Sequence, residues 1–365
     1  MGTGSKYHDD LIEVASLGFL RAYLDEPQAW YAHNYRYPIS VIYSIVTNSP
    51  LKKSTEELAD LQKVTSTFLT SINSSPVDFF PQVARIPNFL QFWRSHWEKM
   101  GIFHYTVFKQ WWEEMLSLNS PNLRPSFVFD SVLKDFSGTT EQAMYLTMFI
   151  LAAGADNPRM TMNSGIMACM AYPAVMNKAR YELDQVCGDN AGRLPGLKDL
   201  PQLPYVCAVV KEILRWRPTV PLIPQRVLVK DMELEGYRFP AGTEFLVNST
   251  AVCANGYEKP HEFYPDRWLD TEKSGCDVKQ DLWQYAFSAG KRSCVGYKLA
   301  QKEMLVVFAR LLYCFNFVHA GDLDDTKLNA FAPGEPFAVK VTARSPLHEQ
   351  LIRNEAVVCD MWEAR

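Results

Sequence analysis

The sequence predicts a mainly α-helical protein with a minor antiparallel β region, and three observations carry that expectation. Apolar residues recur at helical spacing from residue 5 to about 215; Pro218, Pro221 and Pro224 then end the pattern. Residues 227–248 change to β-branched and aromatic runs separated by turn residues. With 365 residues, 47% of them hydrophobic and 13% aromatic, the chain has the material for a large core and is neither disordered nor fibrous in composition.

The helical spacing is clearest over 11–24, 55–69, 103–118 and 174–186. The uncharged run 143–155 is shorter than the roughly 20 residues a membrane span needs, so it reads as a buried helix. The turn-rich stretch 236–242 separates short antiparallel strands. Helical spacing returns over 299–313, where Leu299, Met304, Leu305, Phe308, Leu311 and Leu312 share a face, and the chain is expected to close with a strand at 337–342. There is no repeat, and linker-like composition is confined to short patches such as 48–50 and 188–195, so residues 1–365 are read as one domain.

Charge excludes one class of function. The 37 Lys and Arg against 41 Asp and Glu leave a net charge of −4, which gives no electrostatic reason to bind nucleic acid. The eight cysteines (Cys169, Cys187, Cys207, Cys253, Cys276, Cys294, Cys314 and Cys359) form no C-x-x-C pair, so neither a zinc site nor a secreted disulfide framework is expected, and a reducing compartment fits. No basic-then-apolar leader follows Met1.

One cysteine stands in a distinctive setting. Phe287-Ser-Ala-Gly-Lys-Arg-Ser-Cys294-Val-Gly296 places it in a loop with two glycines, directly before a helix beginning near Tyr297. The unpaired N–H groups of a helix start, with Lys291 and Arg292 nearby, favour a thiolate. Gly290 and Gly296 let backbone approach a flat ligand, Phe287 has the shape to pack on the sulfur, and Arg292 the charge to pair with a ligand carboxylate. Composition alone gives the opposite reading, a buried structural cysteine.

The segment resembles the haem-binding signature of the cytochrome P450 family, F-x-x-G-x-R-x-C-x-G, at every defined position: Phe287, Gly290, Arg292, Cys294 and Gly296. Further matches follow the family's order: Ala153-Gly-Ala-Asp156 opens its oxygen-activating helix signature, Glu212-Ile-Leu-Arg215 matches E-x-x-R, and Pro265-Asp-Arg267-Trp268 matches P-x-R-[FW]. The resemblance runs from about Asp9 onward and is nearest to fungal members. It implies a cytochrome P450 fold with haem b as cofactor, its iron held axially by the Cys294 thiolate. The implied activity is a monooxygenase that inserts one atom of O2 into a lipophilic small molecule, with a fungal secondary metabolite as the family analogy, using electrons from a NADPH-dependent flavoprotein reductase. Glu212, Arg215 and Arg267 are implied to form a buried structural triad that braces the cysteine loop, although Glu212 and Arg215 alone would be an ordinary ion pair on a solvated helix. Arg226 falls where relatives often place a His or Arg on a haem propionate, the alternative being a solvated arginine at the start of a strand. Lys291, Lys298 and Lys302 are either a reductase-docking patch or a solvated helix face.

Two departures from the family pattern matter. The membrane anchor and first helices of full-length relatives are missing from the expected match, so the fold is read as N-terminally truncated: endoplasmic reticulum membrane for a full-length form, cytoplasmic for this chain. In the oxygen-activating helix Asp156 is followed by Asn157 and Pro158 where the resemblance puts a Thr. Proton delivery is therefore assigned to Asp156 with either Asn157, through a water, or Thr161 one turn on, and Pro158 is expected to kink the helix. The plainer alternative for Asp156 is a polar cluster at that kink with no part in the chemistry. The rivals to an active enzyme are a non-catalytic truncated remnant with weak or no haem binding, and a helical interaction protein without cofactor.

Overall fold

The computed structural model describes residues 5–71, 74–118, 126, 128, 132, 134, 136–269, 286–288, 290–321 and 335–359, with the side chains of 5–7 and 224 left aside. Helices follow one another to residue 216: α1 (Ser5–Asp25), α2 (Trp30–Thr47), α3 (Thr55–Ser71), the one-turn α4 (Pro76–Phe79), α5 (Arg94–Ser117), α6 (Thr140–Ala171), α7 (Pro173–Cys187) and α8 (Pro204–Trp216). After α8 come β1 (Leu222–Val227), β2 (Met232–Leu234), β3 (Tyr237–Phe239), β4 (Glu244–Asn248) and α9 (Ser249–Ala254). The last elements are α10 (Tyr297–Cys314), β5 (Phe315–His319), β6 (Val339–Ala343) and α11 (Pro346–Glu355). The mainly α fold with small antiparallel sheets is the one the sequence predicts.

α6 is the axis of the molecule. It starts at a reciprocal cap, in which the Gln142 N–H donates to the Thr139 hydroxyl at 3.2 Å and the Thr139 N–H donates to Gln142 Oε1 at 2.9 Å. Its first half packs with α2, α3 and α5 around Tyr35, Leu61, Trp111, Met148 and Leu151. Its second half joins α1, α7, α8 and α10 around Leu20, Ile166, Val206, Ile213 and Phe308. Two glycines permit the close approaches: a Cβ on Gly154 would stand 2.9 Å from Ile42 Cγ1 on α2, and one on Gly165 would stand 2.1 Å from Phe308 Cε1 on α10. At Gly154 the absence of a side chain lets α6 pack closely on α2. The helix runs on past Pro158 to Ala171.

α2 lies outside the stretches where helical spacing is clearest. Trp30, Tyr35, Ile39, Tyr43 and Thr47 are buried, while Ala32 is exposed and Arg36 and Ser40 are half-buried on its outer side. The sheets are three separate antiparallel pairs, β1 with β4, β2 with β3, and β5 with β6. β2 and β3 are joined by Glu235 and Gly236, both at positive φ (50° and 80°), as a two-residue hairpin turn requires.

The C-terminus corrects the expectation from sequence. The last strand spans 339–343, and Phe337 lies before it, stacked on Trp30 with ring centres 5.1 Å apart. Nor does the chain close on that strand: α11 follows, begun by Pro346 at its first position and by Ser345, whose hydroxyl accepts the His348 N–H at 3.4 Å. The Ser-Pro pair is a helix-start signal that the sequence does contain. Among the described residues no helix is long and apolar enough to cross a membrane.

Candidate functional site

The cysteine loop is shaped by its backbone. Gly290 has φ +67°, a conformation that strains any side chain, and Ser288 has φ +62°. The Cys294 N–H donates to the Phe287 carbonyl at 2.8 Å, which closes the loop, and the Ser293 N–H donates to the Gly290 carbonyl at 3.2 Å. Gly296 caps α10, its carbonyl accepting the Ala300 N–H at 3.0 Å. A Cβ on Gly296 would sit 3.9 Å from the Cys294 sulfur. The loop therefore hands its sulfur outward at the start of an 18-residue helix.

Exposure sets Cys294 apart from the other described cysteines. Its side chain is exposed, whereas Cys187, Cys253, Cys314 and Cys359 are buried and Cys169 and Cys207 half-buried; Cys276 lies outside the described residues. Burial pushes the Cys169, Cys207 and Cys314 thiols up to about 12. Those thiols behave as small apolar side chains. Arg292 and Arg226 are also exposed, and neither is in an ion pair with a described residue; Arg226 lies on β1 opposite Phe245 of β4. Phe287 is half-buried, its ring centre 6.5 Å from that of Tyr297. Of the three lysines, Lys302 is tied to Asp9 of α1 at 2.6 Å, while Lys291 and Lys298 remain exposed.

The structure brings Glu212, Arg215 and Arg267 together. Arg215 donates to both Glu212 oxygens, at 2.9 and 2.8 Å, and Arg267 Nε donates to Glu212 Oε1 at 3.3 Å. Glu212 further accepts the Tyr264 N–H and the Trp268 indole N–H, each at 2.8 Å. Arg215 also donates to the Cys253, Pro260 and Glu262 carbonyls, and Arg267 to those of Glu258 and Lys259. The side chains of Glu212 and Arg215 are 0% and 1% exposed, so this is not a solvated helix pair. What it grips among the described residues is 253–268; it makes no bond to the described part of 287–296.

The acid and its neighbours on α6 are separated rather than clustered. Asp156 is buried, and its Oδ1 accepts from Arg159 Nε at 2.7 Å; burial raises its carboxyl, against the pull of Arg159. Asn157 is on the more open side, where its amide donates to the Ala153 carbonyl at 3.2 Å beside exposed Ala153 and Phe149. Thr161 is buried and its hydroxyl donates to the Asn157 carbonyl at 3.0 Å. Asp156 and Asn157 stand side by side in the sequence, but neighbours on a helix point about 100° apart. Arg159 is not among the residues that sequence motifs single out, although its i,i+3 spacing from Asp156 is a legible pairing signal.

A helical scaffold that turns one thiol and two arginines without described partners to the outside has the donor set of a thiolate-ligated iron cofactor carrying carboxylates. The chain belongs to the cytochrome P450 family, whose sequence model, Cytochrome P450, matches residues 21–339. It is similar to cytochrome P450 monooxygenase yanC of Aspergillus niger, 29% identical over 96% of this chain and 71% of the relative. It is also similar to fogE of Aspergillus ruber (29% identical; 88% of this chain, 64% of the relative) and virE of Hypocrea virens (26%; 94% and 66%). The chain thus spans less than two thirds of the length of the latter two relatives.

Proposed function

We propose that this protein is a haem-thiolate monooxygenase acting on a lipophilic small molecule, with Cys294 as the axial ligand. The observation that carries the reading is the exposed sulfur of Cys294 in a glycine-shaped loop at the start of α10. Arg292 and Arg226, exposed and unpaired with described residues, have the charge to hold the propionates, and Phe287, Gly290 and Gly296 shape the loop around the sulfur. Bound haem would supply the activation of O2 and the insertion of one oxygen atom, and the thiolate its electron push. On α6, Asn157 is the polar side chain on the more open face, and releasing its amide from the Ala153 carbonyl would let it orient a water; Thr161 is buried and committed to the Asn157 carbonyl, which favours the Asn157 route. Lys291 and Lys298 offer a basic edge to an acidic, NADPH-fed flavoprotein reductase. Residues 1–365 are read as one domain, and a full-length form as associated with the endoplasmic reticulum membrane.

The test is the spectrum of the reduced carbonyl complex of the purified, haem-reconstituted chain. The expected outcome is the strongly red-shifted Soret band in the native protein and its loss in Cys294→Ser; an unchanged band in Cys294→Ser removes the ligand assignment. One observation favours the second reading, a haem-binding remnant without turnover. The paired strands β1 and β4 leave Leu222, Val227, Leu246 and Val247 each 41–57% exposed, apolar side chains on both faces of the pair that the described residues leave uncovered. A thiolate spectrum without product formation in the presence of reductase would select that reading.

A further inference from the structure

We propose that Arg159, held by Tyr31 of α2, is the positioning residue that sets the protonation state of Asp156 from the side of α6 facing α2. This rests on the reading of Asp156 as a proton-handling acid of the site.

The geometry is a short chain of contacts leading outward from the helix. Arg159 Nε donates to Asp156 Oδ1 at 2.7 Å, and its Nη1 donates to the Tyr31 hydroxyl oxygen at 2.7 Å, with the guanidinium carbon 5.5 Å from the Tyr31 ring centre. Gln62 of α3 donates its amide to the same hydroxyl oxygen at 3.3 Å. Asp156 and Arg159 are 1% exposed, but Tyr31 and Gln62 line a cleft of about 710 Å³ between α1, α2 and α3. The acid is therefore buried, while the residue that steadies its cation borders an open cleft.

The second half of the site is unfinished. Asp156 Oδ2 and the Tyr35 hydroxyl are both buried without a hydrogen-bond partner, and the charge of Asp156 acts on the Tyr35 phenol. Of the groups acting on Asp156 from the packed elements, Arg159 carries the charge, and the titratable phenols are Tyr31 and Tyr35 of α2. Burial favours the neutral acid, and Arg159 opposes it by charge and hydrogen bond. A guanidinium does not give up its proton, so a change in its hold on Asp156 comes by moving. Tyr31 is the described partner that holds its Nη1 end. With the phenol oxygen gone, Arg159 has reason to turn toward the cleft and leave Asp156 to take up a proton at higher pH.

The experiment is an infrared titration of the protonated carboxyl band of Asp156 in the full chain, assigned by its loss in Asp156→Asn. A Glu303→Gln background removes another buried acid that burial raises well above the usual carboxylate range. Arg159→Met should raise the proton affinity of Asp156 by about tenfold or more, and Tyr31→Phe by about two- to fivefold. A purely architectural role for Tyr31 would shift the unfolding temperature and leave this titration in place; an unmoved titration in Tyr31→Phe overturns the proposal. If Arg159→Met does not fold, Tyr31→Phe decides alone. The relay reading is tested separately by product formed per NADPH in Asp156→Asn: full coupling there removes Asp156 from the relay, and the titration still reports on Arg159 and Tyr31.

Discussion

The clamp around Glu212 and the segment that runs from the cysteine loop into α10 carry the two strongest motifs of the sequence, and they are built in opposite ways. Glu212 has no exposure and accepts from Arg215, Arg267, Trp268 and the Tyr264 backbone. In the other segment Cys294 is exposed, and Glu303 on α10 is 3% exposed with an Oε1 that no described group reaches. Two buried carboxyl groups thus meet different fates. Glu212 is surrounded by donors; burial, with no compensating partner among the described residues, pushes the Glu303 carboxyl well up. The clamp is finished by the chain itself, whereas in the other segment the Cys294 sulfur is exposed and Glu303 Oε1 has no described hydrogen-bond partner.

The sharpest way to break this contrast is to remove a member of the clamp. Glu212→Ala leaves two cations and an indole N–H without their acceptor, and should cost on the order of 3–5 kcal/mol of folding stability, read as a fall in the urea midpoint. Arg267→Ala should cost less, because its side chain is 7% exposed and reaches water on one side. Glu212→Ala with the native midpoint would mean that the clamp is decoration.

A pH series addresses the unfinished acid. With its carboxyl raised in the folded state, Glu303 binds a proton more tightly folded than unfolded. Its contribution to stability is therefore full below the ordinary carboxylate range and is lost as pH rises through the raised folded value. The urea midpoint of the native chain should decline over that rise, and Glu303→Gln should flatten the decline. Parallel curves would show that Glu303 has a partner in solution. At the small end, Cys294→Ser at an exposed position should change the stability of the haem-free chain by no more than about 0.5 kcal/mol; a larger loss would make Cys294 a structural residue.

Much of this was legible in the sequence. Helical spacing located α1, α3, α5, α7 and α10, while α2, outside those stretches, shows its place only through the buried Trp30, Tyr35, Ile39 and Tyr43 that it packs into the core. The spacing of Glu212 and Arg215 fixes that they are neighbours on a turn. Their burial depends on the loop 253–268 folding over them, which local pattern does not encode. Likewise the glycine positions around Cys294 are written in the chain, whereas its exposure is a property of how the loop is left uncovered.

The sequence by itself determined the helical class, the short strands after Pro218 and the residue types gathered around Cys294, because these follow from period, turn chemistry and side-chain donors within a few residues. Only the tertiary structure decided which way the acid of α6 faces. Asp156 and Asn157 are adjacent in the chain, yet the helix points one at Arg159 and Tyr31 of the core and the other at the open side. The reason is that burial is set by what packs on each face of α6, and α2 arrives there from more than a hundred residues away.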